Sequence, residues 1–213
     1  MKTLLYVPAF LLTIYSATLI AIEWRTSQDH VRHYFTDIEG PVRLYAINTT
    51  LSAGLLWACA LLFAIQLLML ERASGRARQR AFCASQILLF AYLGFDDRFL
   101  IHETLSDKLG VHDVLLLLAI GLAEIACLML WGELRSRSRK TLLYLGLAAI
   151  TFLIMAGIDA FLPSAMVLRL SFEDLFKTWC AFFLFLFAWQ VLQQRIREIA
   201  SGASDHLPGA LPR

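Results

Sequence analysis

Between its apolar runs this 213-residue chain has no polar stretch longer than the 22 residues of positions 23–44, which leaves no room for a separate soluble domain among them. Charged residues make up only 17% of it, and a net charge of +2 gives no reason to expect nucleic acid as a partner. It carries no glycine-rich phosphate loop and no nucleophile motif, which argues against a nucleotide cofactor and an ATP-driven pump. No histidine pair stands at membrane depth to hold a haem. The four cysteines, Cys59, Cys83, Cys127 and Cys180, form no C-x-x-C pair and all fall inside apolar runs, so they read as small core residues rather than disulfide or redox cysteines.

What is abundant is apolar: 59% of the residues are hydrophobic, against about 45–50% in a soluble domain. Runs long enough to cross a hydrocarbon core, about 20 residues each, lie at 4–22, 45–70, 81–101, 114–131, 141–162 and 167–192. The expectation is an all-α, polytopic membrane helix bundle of about six transmembrane helices, one domain over 1–200 with a disordered cytoplasmic tail at 201–213. Met1-Lys2 ahead of an apolar run, with small residues at Ser16 and Ala17, also fits a cleaved signal peptide; the run exceeds the about 7–15 residues of such a core, which favours a retained span.

Charge sets the orientation. The segment 71–80 holds Arg72, Arg76, Arg78 and Arg80, and 132–140 holds Arg135, Arg137, Arg139 and Lys140. Positive residues mark cytoplasmic loops, so both termini are placed in the cytoplasm and the chain in a bacterial-type inner membrane. The opposite side collects twelve of the seventeen carboxylates, including Asp37 and Glu39, and four of the five histidines, against seven Lys and Arg.

The densest part of that acidic side is Gly94-Phe95-Asp96-Asp97-Arg98-Phe99-Leu100-Ile101-His102-Glu103. A span of ordinary length beginning at Ala81 draws Asp96 and Asp97 below the outer interface, where ionisable groups normally face the bundle interior with a partner. On a straight helix Asp96 and Glu103, seven residues apart, share a face; Asp97 lies about 100° round, and His102 points elsewhere, joining the site only if the helix frays or a neighbour lies against that side. Other outer ends can add Asp159, Glu173, Asp174, His112, Asp113, Glu23, His30 and His33. Asp96, Asp97, His102, Glu103, Asp159 and Glu173 are the expected ligands of a divalent metal ion, Zn or Mn with the imidazole, Mg or Ca with carboxylates alone.

The same residues have a plainer use. Arg98, Arg169 and Lys177 can hold these acids in structural ion pairs, Glu173 reaching Lys177 or Arg169 at a spacing of four. Glu124, near the middle of the fourth span with no cation in reach on its own helix, is the candidate proton or ion relay, or else a hydrogen-bonding partner of Ser85, Gln86 or Thr151. His30-x-x-His33 has a ligand-like spacing without a diagnostic third member, and Asn48-Thr49-Thr50 matches a glycosylation sequon at the mouth of a span.

The stretch from Phe95-Asp96-Asp97 to Ile101-His102-Glu103, with an acidic pair opening a later helix, resembles a group of uncharacterised bacterial polytopic membrane proteins with an Asp-rich, His-Glu-ended helix, and this implies the layout but no chemistry. A remoter likeness is to alkaline-ceramidase-like membrane hydrolases, which combine Asp, His and Ser around Zn. This chain departs from them in having no H-x-x-x-H pair on a late helix and six spans rather than seven. Three functions follow as expectations: cation binding coupled to transport or lipid chemistry, metal-dependent hydrolysis of a lipid ester or amide, and a structural or interaction subunit. Membrane lipid and other membrane proteins are the expected partners.

Overall fold

The structure, a computed structural model, describes residues 2–36, 42, 46–71, 76–163 and 166–204; Asp37, Glu39, Arg43, Arg72 and the tail beyond 204 lie outside the described residues. It is helical throughout, with no strand among them. In chain order the helices are α1 (Lys2–Arg25), α2 (Gln28–Phe35), α3 (Ile47–Glu71), α4 (Ala77–Phe99), α5 (Ile101–Leu109), α6 (Asp113–Trp131), α7 (Arg139–Phe161) and α8 (Arg169–Ser204). The last continues to Ser204, so the expected tail begins as helix.

Among the described residues five helices, α1, α3, α6, α7 and α8, are long and apolar enough to cross a membrane. The sixth, α4, is 23 residues, or about 34 Å, but carries Arg78 and Arg80 at one end and Asp96, Asp97 and Arg98 at the other. Its polarity is affordable because neighbours cover it along its length. Gln79 meets Glu133 in the turn after α6, Gln86 meets Glu124 at mid-depth, and Asp97 meets Ser52 of α3 and Lys177 of α8 at the far end. The α4 helix thus packs alongside the five apolar helices without itself having the hydropathy of a span, which leaves one fewer than the six expected.

The core lies where α3, α4 and α8 meet. Phe63 stacks on Phe90 with ring centroids 5.8 Å apart, meets Phe82 edge-on at 5.5 Å and lies 6.2 Å from Phe187, all four buried. Apolar side chains on the outer faces of α1 and α6, such as Phe10, Leu11, Leu122 and Met129, are exposed and form the surface that lipid covers. Several hydroxyls inside the spans bond their own helix, as Thr13 to Ala9 O and Ser16 to Leu12 O, both at 2.8 Å, which satisfies these donors without water.

Local signals set the breaks. Ser27 caps α2 by accepting from His30 N at 3.1 Å, and Ser138 caps α7 by accepting from Thr141 N at 3.2 Å. The short α2, in a segment expected to be loop, buries Val31 and Phe35 against Leu19 of α1 and Leu175 of α8. Gly94 lets the indole of Trp57 approach α4: a Cβ there would stand 2.3 Å from Trp57 Nε1. A Gly94→Val substitution should therefore lower stability by about 1–3 kcal/mol through overpacking. Gly54→Ala and Gly146→Ala, with nothing within 4 Å of the added carbon, should leave the melting temperature in detergent unchanged or raised.

Candidate functional site

The third expected span does not run straight to Ile101. It ends at Phe99, and Leu100 takes a left-handed backbone, φ 51° and ψ 45°, before α5 starts in a new direction. The break separates Asp96 from Glu103, which is exposed on α5, and brings His102 to Asp96 instead. The Asp96 carboxylate accepts the His102 backbone N–H at 2.7 Å through Oδ1 and faces His102 Nδ1 at 2.8 Å through Oδ2. A carboxylate from one helix thus caps the first turn of the next, where backbone N–H groups and the helix dipole favour negative charge.

Asp97 turns the other way, into the bundle. Ser52 of α3 donates its hydroxyl hydrogen to Asp97 Oδ2, and the Lys177 ammonium of α8 lies 2.9 Å from Oδ1, an ionic contact rather than a well-directed hydrogen bond. Lys177 also reaches Asp174 Oδ1 at 3.0 Å, one turn back on its own helix. Beside this triad, Asn48 of α3 donates to Asp174 O at 3.1 Å and accepts from Thr178 Oγ1 at 2.9 Å, with the Tyr15 hydroxyl of α1 at 3.4 Å. Four helices meet there through buried polar atoms.

The remaining acids form a third group. Arg169 at the start of α8 binds Asp159 Oδ1 at 2.7 Å, Leu162 O at 3.2 Å and Glu173 Oε2 at 3.2 Å, clamping the end of α7 to α8. Glu23, one of the expected neighbours, is buried and accepts the backbone N–H of Leu168 at 2.7 Å, bracing a second left-handed residue (φ 68°) at the opening of α8. His112 caps α6 through Val114 N, His30 and His33 lie on α2, and the side chain of Asp113 lies outside the described residues. At mid-depth, Gln86 donates to Glu124 Oε2 at 2.8 Å, whereas Ser85 and Thr151 bond backbone carbonyls of their own helices.

The six expected ligands are therefore distributed: Asp96 with His102, Asp97 with Lys177, Asp159 and Glu173 with Arg169, and Glu103 on the exposed side of α5. Among the described residues no three His, Cys, Asp or Glu side chains converge as a metal centre requires. The expected pairing of Glu173 with Arg169 is present, while Lys177 is taken by Asp97 and Asp174. The sequence shows Asn48 only as part of a sequon and gives Ser52 and Thr178 no evident role. Asn48 and Ser52 stand four apart on one face of an apolar helix, a sign that the face meets a polar neighbour rather than lipid.

The helical bundle and its five long apolar helices among the described residues define a polytopic helical membrane protein. Within that class the chain belongs to a family described as a domain of unknown function (DUF8692), matched over residues 4–191. No curated protein and no solved structure matches it.

Two outcomes check this geometry. Lys177→Met leaves Asp97 and Asp174 without a cation and should cost at the low end of about 3–5 kcal/mol, while adding Asp97→Asn should recover much of the loss, read as coupling in a double-mutant cycle of melting temperatures. Leu100→Gly should hold or raise stability by up to about 1 kcal/mol, since glycine adopts the left-handed backbone freely and the exposed leucine side chain packs little.

Proposed function

We propose that the chain is a multi-pass protein of the bacterial cytoplasmic membrane, both termini cytoplasmic, that takes up a small cation at Asp97 and Asp174 from the outer face in exchange for the Lys177 ammonium, coupled to transport. One observation carries this reading: two carboxylates on different helices share one ammonium, and its side chain, 31% exposed, is more accessible than Asp97 at 6% or Asp174 at 12%. A lysine that swings outward leaves the two carboxylates, with the Ser52 hydroxyl and the Asn48 amide close by, as an oxygen-rich set. Oxygen ligands suit Mg, Ca or a proton better than Zn, and His102, committed to Asp96, does not add a nitrogen.

Inward of this site on the same face of α4 lies Phe90, stacked on Phe63 and backed by Phe187. Asp97, Phe90 and Gln86 follow one another down that face at spacings of seven and four. The aromatic layer therefore lies between the outer carboxylates and the pair of Gln86 and Glu124, which supports Glu124 as the inner relay of such a transport path. Lipid hydrolysis has less support, because Asp97, Asp159, Glu173 and Asp174 each face a lysine or arginine rather than standing free to activate water. A structural lock is the second reading, favoured by that same pairing.

Thermal melting under Mg, Ca and Na titration at constant ionic strength, on wild type, Lys177→Gln and Asp97→Asn/Lys177→Gln, separates the two. Cation exchange predicts that Lys177→Gln melts lower than wild type and is restored by one of these ions at lower concentration than wild type responds to, and that the double variant does not respond. A Lys177→Gln protein indifferent to every ion leaves the triad as a lock and overturns the exchange reading.

A further inference from the structure

At the other end of the bundle, the first turn of α4 and the turn after α6 border an open groove of about 680 Å³ lined by Arg78, Met129, Glu133, Leu134, Arg135 and Ser136. Glu133 has a left-handed backbone, φ 50°, which ends α6 sharply and leads into the 3-10 turn Leu134–Ser136, so Arg135 comes to the same groove as Arg78 from a different segment.

The charges near this groove are not equivalent. Arg137 is spent inside the protein, its Nε donating to Gly132 O at 3.1 Å and its guanidinium carbon 5.4 Å over the Phe82 ring. Glu133, the one acid of the lining, faces Gln79 Nε2 at 3.5 Å. Arg78 and Arg135 are exposed, and no carboxylate among the described residues pairs with them.

The groove also has an apolar continuation. Met129 is 72% exposed, and with Leu122 and Ile125, also exposed, it forms a strip at spacings of three and four up the lipid-facing side of α6. Two exposed guanidiniums that no described carboxylate neutralises, above an apolar strip that runs into the hydrocarbon, complement one kind of molecule in both parts. Phosphate oxygens accept charge-assisted hydrogen bonds from arginine, and an acyl chain covers the strip.

We propose that this groove binds an anionic phospholipid, with the headgroup phosphate held between Arg78 and Arg135 and one chain lying along Met129, Ile125 and Leu122. The site is independent of the carboxylates at the opposite end, so failure of one assignment leaves the other standing.

The test is thermal melting of the purified full chain in detergent with added phosphatidylglycerol or phosphatidylcholine. Three proteins are compared: wild type, Arg78→Gln/Arg135→Gln, and Arg139→Gln/Lys140→Gln, whose substitutions are exposed on the same side but outside the groove lining. Binding to the folded state raises the melting temperature. Phosphatidylglycerol should stabilise wild type by several degrees more than phosphatidylcholine, the first variant should lose most of that difference, and the second should keep it. Equal responses to the two lipids in wild type, or a full response in the first variant, would overturn the proposal. An equal loss in both variants would reduce the effect to surface charge and overturn it too. Glycerol 3-phosphate giving the whole shift without lipid would make the occupant a soluble phosphate and remove the lipid assignment.

Discussion

The Lys177 ammonium, set between Asp97 of α4 and Asp174 of α8, joins helices that are eighty residues apart in sequence. Charges cannot be carried into hydrocarbon without a partner, so this contact decides which faces of α4 and α8 point inward. With those faces fixed, Ser52 and Asn48 require the polar side of α3 to turn toward the same point. The apolar rings of Phe63, Phe90 and Phe187 then meet one level further in. The aromatic core is what fills the space that the polar contacts have already oriented.

The sequence made five of the spans legible because twenty apolar residues in succession have few other uses, whereas α4, expected as a span, carries charge at both ends. Fine structure at the acidic end was hidden for identifiable reasons. Nothing marks the break at Leu100: no glycine or proline is there, and leucine seldom takes a left-handed backbone. The break follows from a contact that forms only once the chain bends, the Asp96 carboxylate on the His102 amide. Glu173 could be paired with Arg169 from spacing alone, because both sit on one helix. Asp97 could not be paired with Lys177, because that requires knowing which helices are neighbours and how each is rotated.

The two ends of the bundle handle charge differently. At the acidic end Asp97, Asp159, Glu173 and Asp174 each face a base, Asp96 meets a histidine, and Glu23 holds a backbone amide, so these six acids are met within the protein. At the arginine end Arg137 is drawn inside over Phe82, whereas Arg78 and Arg135 remain open. Peripheral helices reflect the same economy. Beyond apolar contacts, α1 is fastened by the Trp179 to Ser16 hydrogen bond at 3.0 Å, by Tyr15 on Asn48 and by Glu23 on Leu168, all toward its outer half.

The distance in sequence between Asp97 and Lys177 also sets a schedule for biogenesis. At about 5–20 residues per second of synthesis, α4 emerges some 4–16 s before the lysine that neutralises its buried acid is made. During that interval Ser52, already synthesised on α3, is the partner at hand, and the nascent α3–α4 hairpin has to shelter Asp97 until the final helix arrives. A chain that stops before α8 would leave in the membrane a fragment whose Asp97 has Ser52 but no cation.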